Sequence, residues 1–410
     1  MHVAYIVNQF PPYITSGLGR YVEAVSSRLV KLGCRLSVFS LNPGDLPKET
    51  SEAGIKVLRP TNRIQRFIFG RRRFKRTTLV GFFFLALNAV ISNFVHAIRL
   101  ISLHRKDPVD IIAVHDTTNA LAGFIVSWVM NVPMVLHVMT VEYTMETEGT
   151  VHDKFRLLSI LERLFVRRCS CIFLPSKELE RRVCRRGWPA DRLEVLELGN
   201  PFDDLPDIAD NSADRSFQIR QLLGIPQKSP LIVFAGRIEA AKGVFELAEA
   251  FDIVARRNTM VYLVMIGEGD IKNVAEIISK SVARNRVRII DSFMSESVLR
   301  DVYIESDICV FPSKFEPFGL VAVEAMSLGK AVILGDGFCE AIRSSDSGAP
   351  VAVTTSVTAE AIAGNVLSLL DDDRLRSQMG VAAERHAAHF TWDNTANSLF
   401  ARYTALARQK

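Results

Sequence analysis

The sequence lacks several motifs that would assign a function directly. None of its six cysteines forms a Cys-x-x-Cys pair, and no Asn-x-Ser/Thr glycosylation site occurs. It contains no Gly-x4-Gly-Lys-Ser/Thr loop, no His-Glu-x-x-His and no Gly-x-Ser-x-Gly. These absences argue against a disulfide framework, a cysteine-ligated zinc site, a P-loop NTPase, a zinc protease and a serine hydrolase.

Acidic residues are missing from one long stretch. Between Ala53 and Lys106 there is no Asp or Glu, whereas Arg and Lys are frequent. The formal net charge of the whole chain is only +5, so the positive charge is unevenly distributed. This local excess predicts an anionic partner, such as a membrane surface or a phosphorylated ligand.

The bulk composition describes an ordinary globular protein. The chain has 410 residues with 48% hydrophobic and 23% charged side chains, which predicts two or three domains with ample core. Most cysteines lie in apolar runs, which indicates reduced core residues in a cytoplasmic protein. The amino terminus, MHVAYIVNQF, has no basic leader, so we expect a strand there and no signal peptide.

One apolar run leaves two interpretations open. The residues from Leu79 to Ile98 carry no formal charge over about the length that crosses a bilayer. The alternative is a buried or interfacial helix, because four polar residues recur on one side of it. These are Asn88, Ser92, Asn93 and His96.

Regularly spaced apolar runs predict strands that alternate with helices. In the first half they are His2–Val7, Leu36–Ser40, Lys56–Arg59, Asp110–His115, Met134–Met139, Cys171–Ser176 and Leu193–Leu198. In the second half they are Leu231–Ala235, Val261–Ile266, Val287–Ile290, Ile308–Pro312 and Ala331–Leu334. Continuous apolar strands separated by helices indicate parallel sheets covered on both faces, and therefore an α/β fold. The long loop after the first strand, in place of a tight Gly-x-Gly-x-x-Gly turn, argues against a nicotinamide dehydrogenase.

A change in composition predicts the domain boundary. Residues 203–216, DDLPDIADNSADRS, are acidic and polar, which is typical of a surface linker. We expect an amino-terminal domain over 1–202 and a carboxy-terminal domain over 217–392. A final helix from about 393 to 410 is expected to pack back on the first domain. Ligands of such sheets bind at the carboxyl ends of the strands, so two facing domains would share a cleft.

The loop after one predicted strand carries two basic residues. Gly236 ends the strand Leu231–Ala235, and Arg237 and Lys242 follow it. An Arg and a Lys on a loop that opens a helix can bind a diphosphate, because Arg supplies a planar fork and Lys a point charge. The helix amino terminus adds a favourable dipole. The alternative is a solvated basic surface.

Two carboxylates stand in the apolar segment SKFEPFGLVAVEAM at 313–326. Glu316 precedes a predicted helix over about Gly319–Gly329, and Glu324 lies near its second turn. A carboxylate can accept two hydrogen bonds, so the paired hydroxyls of a sugar are suitable partners. The alternative is that each Glu pairs with an Arg inside the protein, since buried charges need partners.

Taken together, these residues resemble retaining glycosyltransferases of the family that includes bacterial glycogen synthases, sucrose synthases and phosphatidylinositol mannosyltransferases. The likeness in the second half lies in Gly236-Arg237-x4-Lys242-Gly243, Glu316-Pro317-Phe318-Gly319-Leu320, Glu324, Gly329 and Val332-Ile333. A looser likeness in the first half lies in Ser16-Gly17-Leu18-Gly19-Arg20-Tyr21-Val22, Asp110 to Asp116 and Asn200-Pro201-Phe202-Asp203.

The resemblance implies the GT-B fold, with two facing Rossmann-like domains that bind a nucleotide-diphosphate sugar and an acceptor. Arg237 and Lys242 would hold the diphosphate, and Glu316 would contact the donor sugar. Glu324 would bind the ribose. The remaining substrate contacts that the resemblance implies are Phe318, Gly319, Leu320, Gly236, Gly17, His115 and His137. The family retains the anomeric configuration and generally needs no metal, so no cofactor is expected.

The sequence departs from the family pattern at three places. A histidine usually lies near the end of the fifth strand, where this chain has His137 and Met139; we expect Met139 at the usual position, with His137 as the alternative. His115 could bind substrate or be a strand-end core histidine. The usual Gly-Gly-x-x-Glu is altered to Gly335-Asp336-Gly337-Phe338-Cys339-Glu340, and Ser16 replaces a glycine.

The basic segment suggests where the acceptor resides. Arg and Lys are dense at 63–76, with Phe67, Phe69 and Phe74 as possible anchors, and each basic side chain near an anionic leaflet contributes about 1 kcal/mol. We expect peripheral association with the inner face of the cell membrane, a glycan or lipid-linked acceptor, and no nucleic-acid partner. Two other functions stay open: a non-catalytic nucleotide-sugar-binding partner of an active transferase, and a phosphorylase that uses sugar phosphates.

Overall fold

The computed structural model describes residues 1–14, 16–43, 46–60, 79–139, 162–206, 212–345 and 348–409, with the backbone alone at 79–86 and 212–217. The chain forms two compact units. The first contains Met1–Glu197 together with Trp392–Lys410, and the second contains Leu198–Thr391. The basic residues predicted as a membrane contact at 63–76, including Phe67, Phe69 and Phe74, lie outside the described residues.

Strands and helices alternate along both units. The strands are β1 His2–Val7, β2 Arg35–Ser40, β3 Glu49–Glu52, β4 Ile55–Leu58, β5 Ile111–His115, β6 Met134–His137, β7 Cys171–Leu174, β8 Leu193–Val195, β9 Leu231–Ala235, β10 Tyr262–Ile266, β11 Val287–Ile290, β12 Ile308–Phe311, β13 Ala331–Gly335 and β14 Val353–Thr355. The helices are α1 Gly17–Lys31, α2 Leu79–His104, α3 Ala120–Met130, α4 Lys177–Arg185, α5 Ser212–Leu223, α6 Val244–Arg257, α7 Ile271–Ser279, α8 Glu296–Glu305, α9 Leu320–Met326, α10 Glu340–Arg343, α11 Ala359–Asp371, α12 Asp373–Ala387 and α13 Trp392–Ala407.

The first unit is built on a mixed sheet of mostly parallel strands. Its order is β3-β4-β2-β1-β5-β6-β7-β8, and only the β3–β4 pair is antiparallel among the described residues. Every residue of β1, β5, β6 and β7 is buried. Burial on both faces explains why these strands are continuous apolar runs without polar alternation.

The second unit contains a parallel sheet in the order β11-β10-β9-β12-β13-β14. Its central strands β9, β12 and β13 are fully buried. The α/β architecture with parallel sheets that the sequence predicts is therefore confirmed. Each predicted strand is present, with small differences at the ends.

Two edge strands are not predicted from the sequence. The β3 strand has the sequence ETSE and no apolar residue, so it has no hydrophobic pattern that would reveal it. The β14 strand has only three residues at the edge of its sheet. The expected linker 203–216 falls within the second unit, and α5 begins inside it at Ser212.

The α2 helix turns its polar stripe inward. Asn88, Ser92, Asn93 and His96 are all buried. Asn93 explains part of this arrangement, since its Nδ2 donates to the carbonyl of Thr118 at 2.9 Å and its Oδ1 accepts from the backbone N–H of Ala122 at 2.8 Å. No helix within the described ranges is long and apolar enough to cross a membrane.

The opposite side of α2 is apolar and exposed. Val90, Phe94 and Ile98, spaced four residues apart, are 45%, 49% and 66% exposed. The buried polar stripe and the exposed apolar stripe reverse the usual orientation of a surface helix.

The final helix, α13, belongs to the first unit. Arg28 Nε donates to Asp393 Oδ1 at 2.7 Å, and Arg402 pairs with Glu194 at 2.6 Å. The Thr395 hydroxyl donates to the carbonyl of Glu197 at 2.9 Å. These contacts join the end of the chain to elements that lie far away in sequence.

Candidate active site

The strand order of the second sheet brings three loops together. The strands β9, β12 and β13 are neighbours and run parallel, so their carboxyl ends meet at one edge. Gly236, Pro312 and Asp336 begin the segments that follow these strands. The candidate donor-binding residues lie on these segments and on α9.

The first loop begins with a glycine whose positive φ disfavours a larger residue. Gly236 has a φ of +148°, and its N–H donates to the carbonyl of Ile266 at 2.9 Å. The next residue, Arg237, has a side chain that is 67% exposed and forms an ion pair with Glu239 at 3.0 Å. Since a guanidinium has five N–H donors, one exposed ion pair leaves Arg237 able to bind an anion.

The same loop ends against strand β12. A short 3-10 turn, Ala240–Lys242, leads to Gly243, whose φ is +67°. A Cβ at Gly243 would lie 2.1 Å from the carbonyl oxygen of Pro312, so no larger residue fits this position. The N–H of Lys314 also donates to the carbonyl of Ala241 at 2.9 Å. Lys242 is thereby held beside the segment that carries Glu316.

Lys242 and Glu316 form a direct ion pair. The Nζ of Lys242 donates to Oε2 of Glu316 at 2.6 Å, and both side chains are 15% exposed. Glu316 therefore does have a basic partner inside the protein, as the alternative interpretation expected. The partner is a lysine, and it is itself one of the predicted site residues.

The β13–α10 loop fixes the backbone around Glu316. The N–H of Glu316 donates to the carbonyl of Gly337 at 2.9 Å, and Glu316 forms an isolated bridge with Phe338. Gly319 has a φ of +107°, and a Cβ there would lie 2.3 Å from the ring of Phe338. The altered Gly335–Glu340 motif therefore keeps a structural role beside the candidate site.

The residues after Glu316 continue into a short helix. Phe318 is 3% exposed and packs edge-on against Phe390, with ring centroids 5.6 Å apart. Leu320 is half-buried and begins α9, so this helix starts close to its predicted position but ends at Met326.

Glu324 is buried inside the second unit. It is 1% exposed, and its Oε2 accepts a hydrogen bond from the Tyr303 hydroxyl at 3.4 Å. Tyr303 lies on α8 and was not identified from the sequence. No local pattern would have revealed it, because the contact joins residues on two separate helices.

Gly17 begins α1 on the first unit, after the long loop that follows β1. The hydroxyl of Ser16 donates to Gln9 Oε1 at 3.1 Å, and Asn8 Nδ2 donates to the Thr118 hydroxyl at 2.9 Å. A Cβ at Gly19 would lie 2.9 Å from the side chain of Ile14. This loop is therefore ordered by side-chain contacts at the carboxyl end of β1.

His115 and His137 stack on each other at the ends of β5 and β6. Their ring centroids are 4.5 Å apart with an interplanar angle of 16°, and both residues are 0% exposed. Tyr21 Oη lies 2.8 Å from Nδ1 of His137, and Tyr403 Oη lies 2.7 Å from its Nε2. Both ring nitrogens of His137 are thus occupied by tyrosines.

Burial keeps this histidine pair neutral. It lowers the pKa of His137 to about 3, and it lowers the pKa of His115 well below the usual range, with a further lowering from His137. Neither nitrogen of His115 has a hydrogen-bond partner among the described residues. Met139, two positions after His137, is half-buried just beyond the strand.

Solved structures that are similar to this chain show its fold. Sucrose-phosphate synthase from Thermosynechococcus elongatus matches with a TM-score of 0.71 and 17% identity, over 100% of both chains. HepE from Anabaena, solved in complex with UDP-glucose, matches with a TM-score of 0.68 and 16% identity over 98% of this chain and 99% of that chain. The protein therefore has the GT-B glycosyltransferase fold.

Family models then cover both halves. Residues 16–199 match the glycosyl transferase 4-like domain, and residues 216–386 match glycosyl transferases group 1. The chain belongs to this family of glycosyltransferases, which confirms the resemblance found from the sequence.

Curated relatives agree with this assignment. An uncharacterized glycosyltransferase of Methanocaldococcus jannaschii is 25% identical over 97% of this chain and 96% of its own length. Glycogen synthase of Mycobacterium tuberculosis is 23% identical over 100% of this chain and 95% of its own length.

Proposed function

We propose that this chain transfers a sugar from a nucleotide-diphosphate sugar to a glycan or lipid-linked acceptor, with retention of anomeric configuration. Its role would be in building a surface polysaccharide or glycolipid. The observation that carries the proposal is the Lys242–Glu316 ion pair at the carboxyl edge of a parallel sheet, with the exposed Arg237 on the same loop as Lys242. The UDP-glucose complex of HepE supports a nucleotide sugar as the donor.

Arg237 and Lys242 would act on the leaving group. During transfer, the bond between the anomeric carbon and the diphosphate oxygen breaks, and its electron pair stays on that oxygen. The acceptor hydroxyl forms the new bond and releases its proton. Cationic groups already in position stabilise the developing charge without reorganisation, which is where such a reaction gains most.

Glu316 would accept hydrogen bonds from hydroxyls of the donor sugar. Its hydrogen bond from Lys242 holds one carboxylate oxygen, so Glu316 lies next to a residue that would bind the diphosphate. Glu324, oriented by Tyr303, would accept from the ribose hydroxyls. The backbone from Phe318 to Leu320, with Gly236, would line the sugar and phosphates, and no metal is assigned a role.

One observation favours the alternative of a non-catalytic nucleotide-sugar-binding partner. If Met139 occupies the usual histidine position, one contact to the reactive sugar is missing. His137 does not replace it in this structure, because it is fully buried and both of its nitrogens contact tyrosines.

Membrane association is part of the proposal. The exposed stripe of Val90, Phe94 and Ile98 lies on the helix that follows the basic segment 63–76. Apolar side chains that enter a leaflet beside basic residues give peripheral binding, which would keep the protein at the inner face of the membrane.

The main test is a panel of nucleotide sugars assayed for release of nucleoside diphosphate, with a membrane extract as acceptor. Glu316→Gln should abolish most turnover. The matched control is Glu305→Gln, because Glu305 forms a similarly buried ion pair with Arg220 at 2.7 Å. Donor binding without transfer or hydrolysis would instead establish the non-catalytic alternative, and sugar phosphate formed from inorganic phosphate would indicate a phosphorylase.

A further inference from the structure

A second group of basic residues lies on the first unit, whereas the candidate donor residues belong to the second. An open depression of about 440 Å³ is lined by Arg167, Arg168, Arg192 and Arg402, with one carboxylate, Asp191. Arg192 and Arg402 have carboxylate partners, Asp191 and Glu194, but the four arginines outnumber these two acids, so the local potential is positive. This charge is not used by the proposed transfer reaction.

The depression lies at the amino-terminal edge of the first sheet. Ser170 directly precedes β7, and Arg192 directly precedes β8; both line the depression. A smaller cavity of about 190 Å³ shares Arg168, Ser170 and Gln409 with it and extends to the start of β6. His115 and His137 lie at the opposite ends of their strands, so this groove is separate from the carboxyl edge.

Backbone contacts position these guanidiniums. Arg192 Nη1 donates to the carbonyls of Arg167 and Cys169. Arg168 Nη2 donates to the carbonyl of Ser127 at 3.1 Å. The acceptors in these contacts are neutral carbonyls, so the contacts hold the two arginines in place without cancelling their charge. Arg192 also forms a long ion pair with Asp191, with 3.9 Å between its Nε and the carboxylate.

The other two arginines, Arg402 and Arg167, differ in how far they are exposed to solvent. Arg402 is 32% exposed and pairs with Glu194, which fixes its direction. Arg167 is exposed, and its guanidinium has no ion pair within the described ranges. Planar guanidiniums that are oriented beforehand bind phosphate oxygens with two parallel hydrogen bonds.

We propose that this groove is a binding site for a small phosphorylated ligand, distinct from the donor site. Its volume exceeds that of a single phosphate and falls in the range of small-molecule sites. Arg402 lies on α13 and Gln409 follows that helix, whereas the other three arginines lie within residues 167–192. A bound ligand would therefore link the end of the chain to the body of the first unit and raise its stability.

The test uses inorganic pyrophosphate as the probe and the full chain. Binding is measured by calorimetry and by the rise in melting temperature. The variant Arg167→Gln/Arg168→Gln removes two guanidiniums from the groove. The matched control, Arg163→Gln/Arg185→Gln, removes two exposed arginines of the same unit that do not line it.

We expect the control variant to bind pyrophosphate like the unmodified chain. The groove variant should lose affinity by roughly tenfold or more. Pyrophosphate bound at the donor residues contributes equally to all three proteins, so it cancels in the comparison. Equal affinity for the two double variants would overturn the proposal, as would binding that does not saturate. Arg192→Gln, with folding checked by circular dichroism, provides a second variant with the same expected loss.

Discussion

Lys242 and Glu316 are 74 positions apart in the chain, and their side chains meet at 2.6 Å in the second unit. Each is a candidate donor-site residue on its own. Their contact means that the two charges position each other before any substrate arrives.

The first prediction concerns this pair. Glu316→Gln and Lys242→Met should each lower kcat by about 10²–10³-fold, because each removes a charge placed for the transition state. The double variant should lose much less than the product of the two, since the residues act together. The measurement is a double-mutant cycle on nucleoside diphosphate release. Independent, multiplicative losses would contradict a shared role, and Glu305→Gln controls for the stability lost with a buried ion pair.

The second prediction concerns the exposed guanidinium of Arg237. Arg237→Gln should weaken donor binding by about 10–100-fold, because a charged hydrogen bond to the diphosphate contributes about 1.5–3 kcal/mol. The folded state should keep its stability, since the side chain is 67% exposed. Calorimetric titration of the donor measures the effect, with Arg256→Gln on α6 as the control. Unchanged affinity would remove Arg237 from the diphosphate site.

A third prediction follows from Gly319. Gly319→Ala should destabilise the protein by more than about 1–2 kcal/mol, because a side chain at this φ is strained and its Cβ would meet the ring of Phe338. Transfer activity should fall as Glu316 is displaced. Gly364→Ala is the control, because nothing lies within 4 Å of its Cβ and helical alanine is favoured by about 0.5–1 kcal/mol. Chemical denaturation measures the stability of both variants. A stable and active Gly319→Ala variant would show that the loop around Gly319 can accommodate the side chain.

The buried histidines predict a dependence of stability on pH. The folded state lowers the pKa of His137 to about 3 and lowers that of His115 well below the usual range, whereas both titrate near 6.5 in the unfolded chain. The unfolded state therefore binds more protons below about pH 6.5, and the free energy of unfolding falls as pH decreases from there towards 3.

The variant that tests this dependence is His115→Phe, since the ring nitrogens of His115 have no partner to lose within the described part of the chain. It should flatten the pH profile of the free energy of unfolding, whereas the exposed control His389→Gln should leave it unchanged. An unaltered slope in His115→Phe would show that other groups control the acid sensitivity.

The last prediction concerns the exposed stripe on α2. Phe94→Glu should reduce binding to vesicles that contain anionic lipid, because it places a charge in the apolar stripe. Leu222→Glu is the matched control, since Leu222 is 80% exposed but lies on the second unit. Co-sedimentation with vesicles measures the difference. If both variants bind like the unmodified chain, the stripe does not contact the membrane.

The positions of the candidate donor residues within the second unit could in part be anticipated, because the relevant information is local. Gly236, Arg237 and Lys242 follow one apolar strand within a few positions, and Glu316 to Glu324 span one loop and one short helix. The apolar runs also revealed the buried strands, since a strand buried on both faces must be continuously hydrophobic.

Longer-range relationships could not be read in this way. Tyr21 and Tyr403 reach His137 across 116 and 266 positions, and Tyr303 reaches Glu324 from another helix. Periodicity located the polar stripe of α2 but did not say which side faces the core. Asn93 decides this through bonds to the backbone of Thr118 and Ala122, which only the folded chain brings near.

The sequence by itself thus determined the α/β class, all strands but β3 and β14, and the glycosyltransferase motifs, because these depend on hydrophobic patterns and short spacings. Tertiary structure alone decided that Lys242 pairs with Glu316, that His115 and His137 stack out of contact with solvent, and that four arginines share one groove. The reason is physical: strand order and helix packing choose among distant partners, and neither is set by the residues next to a side chain in the chain.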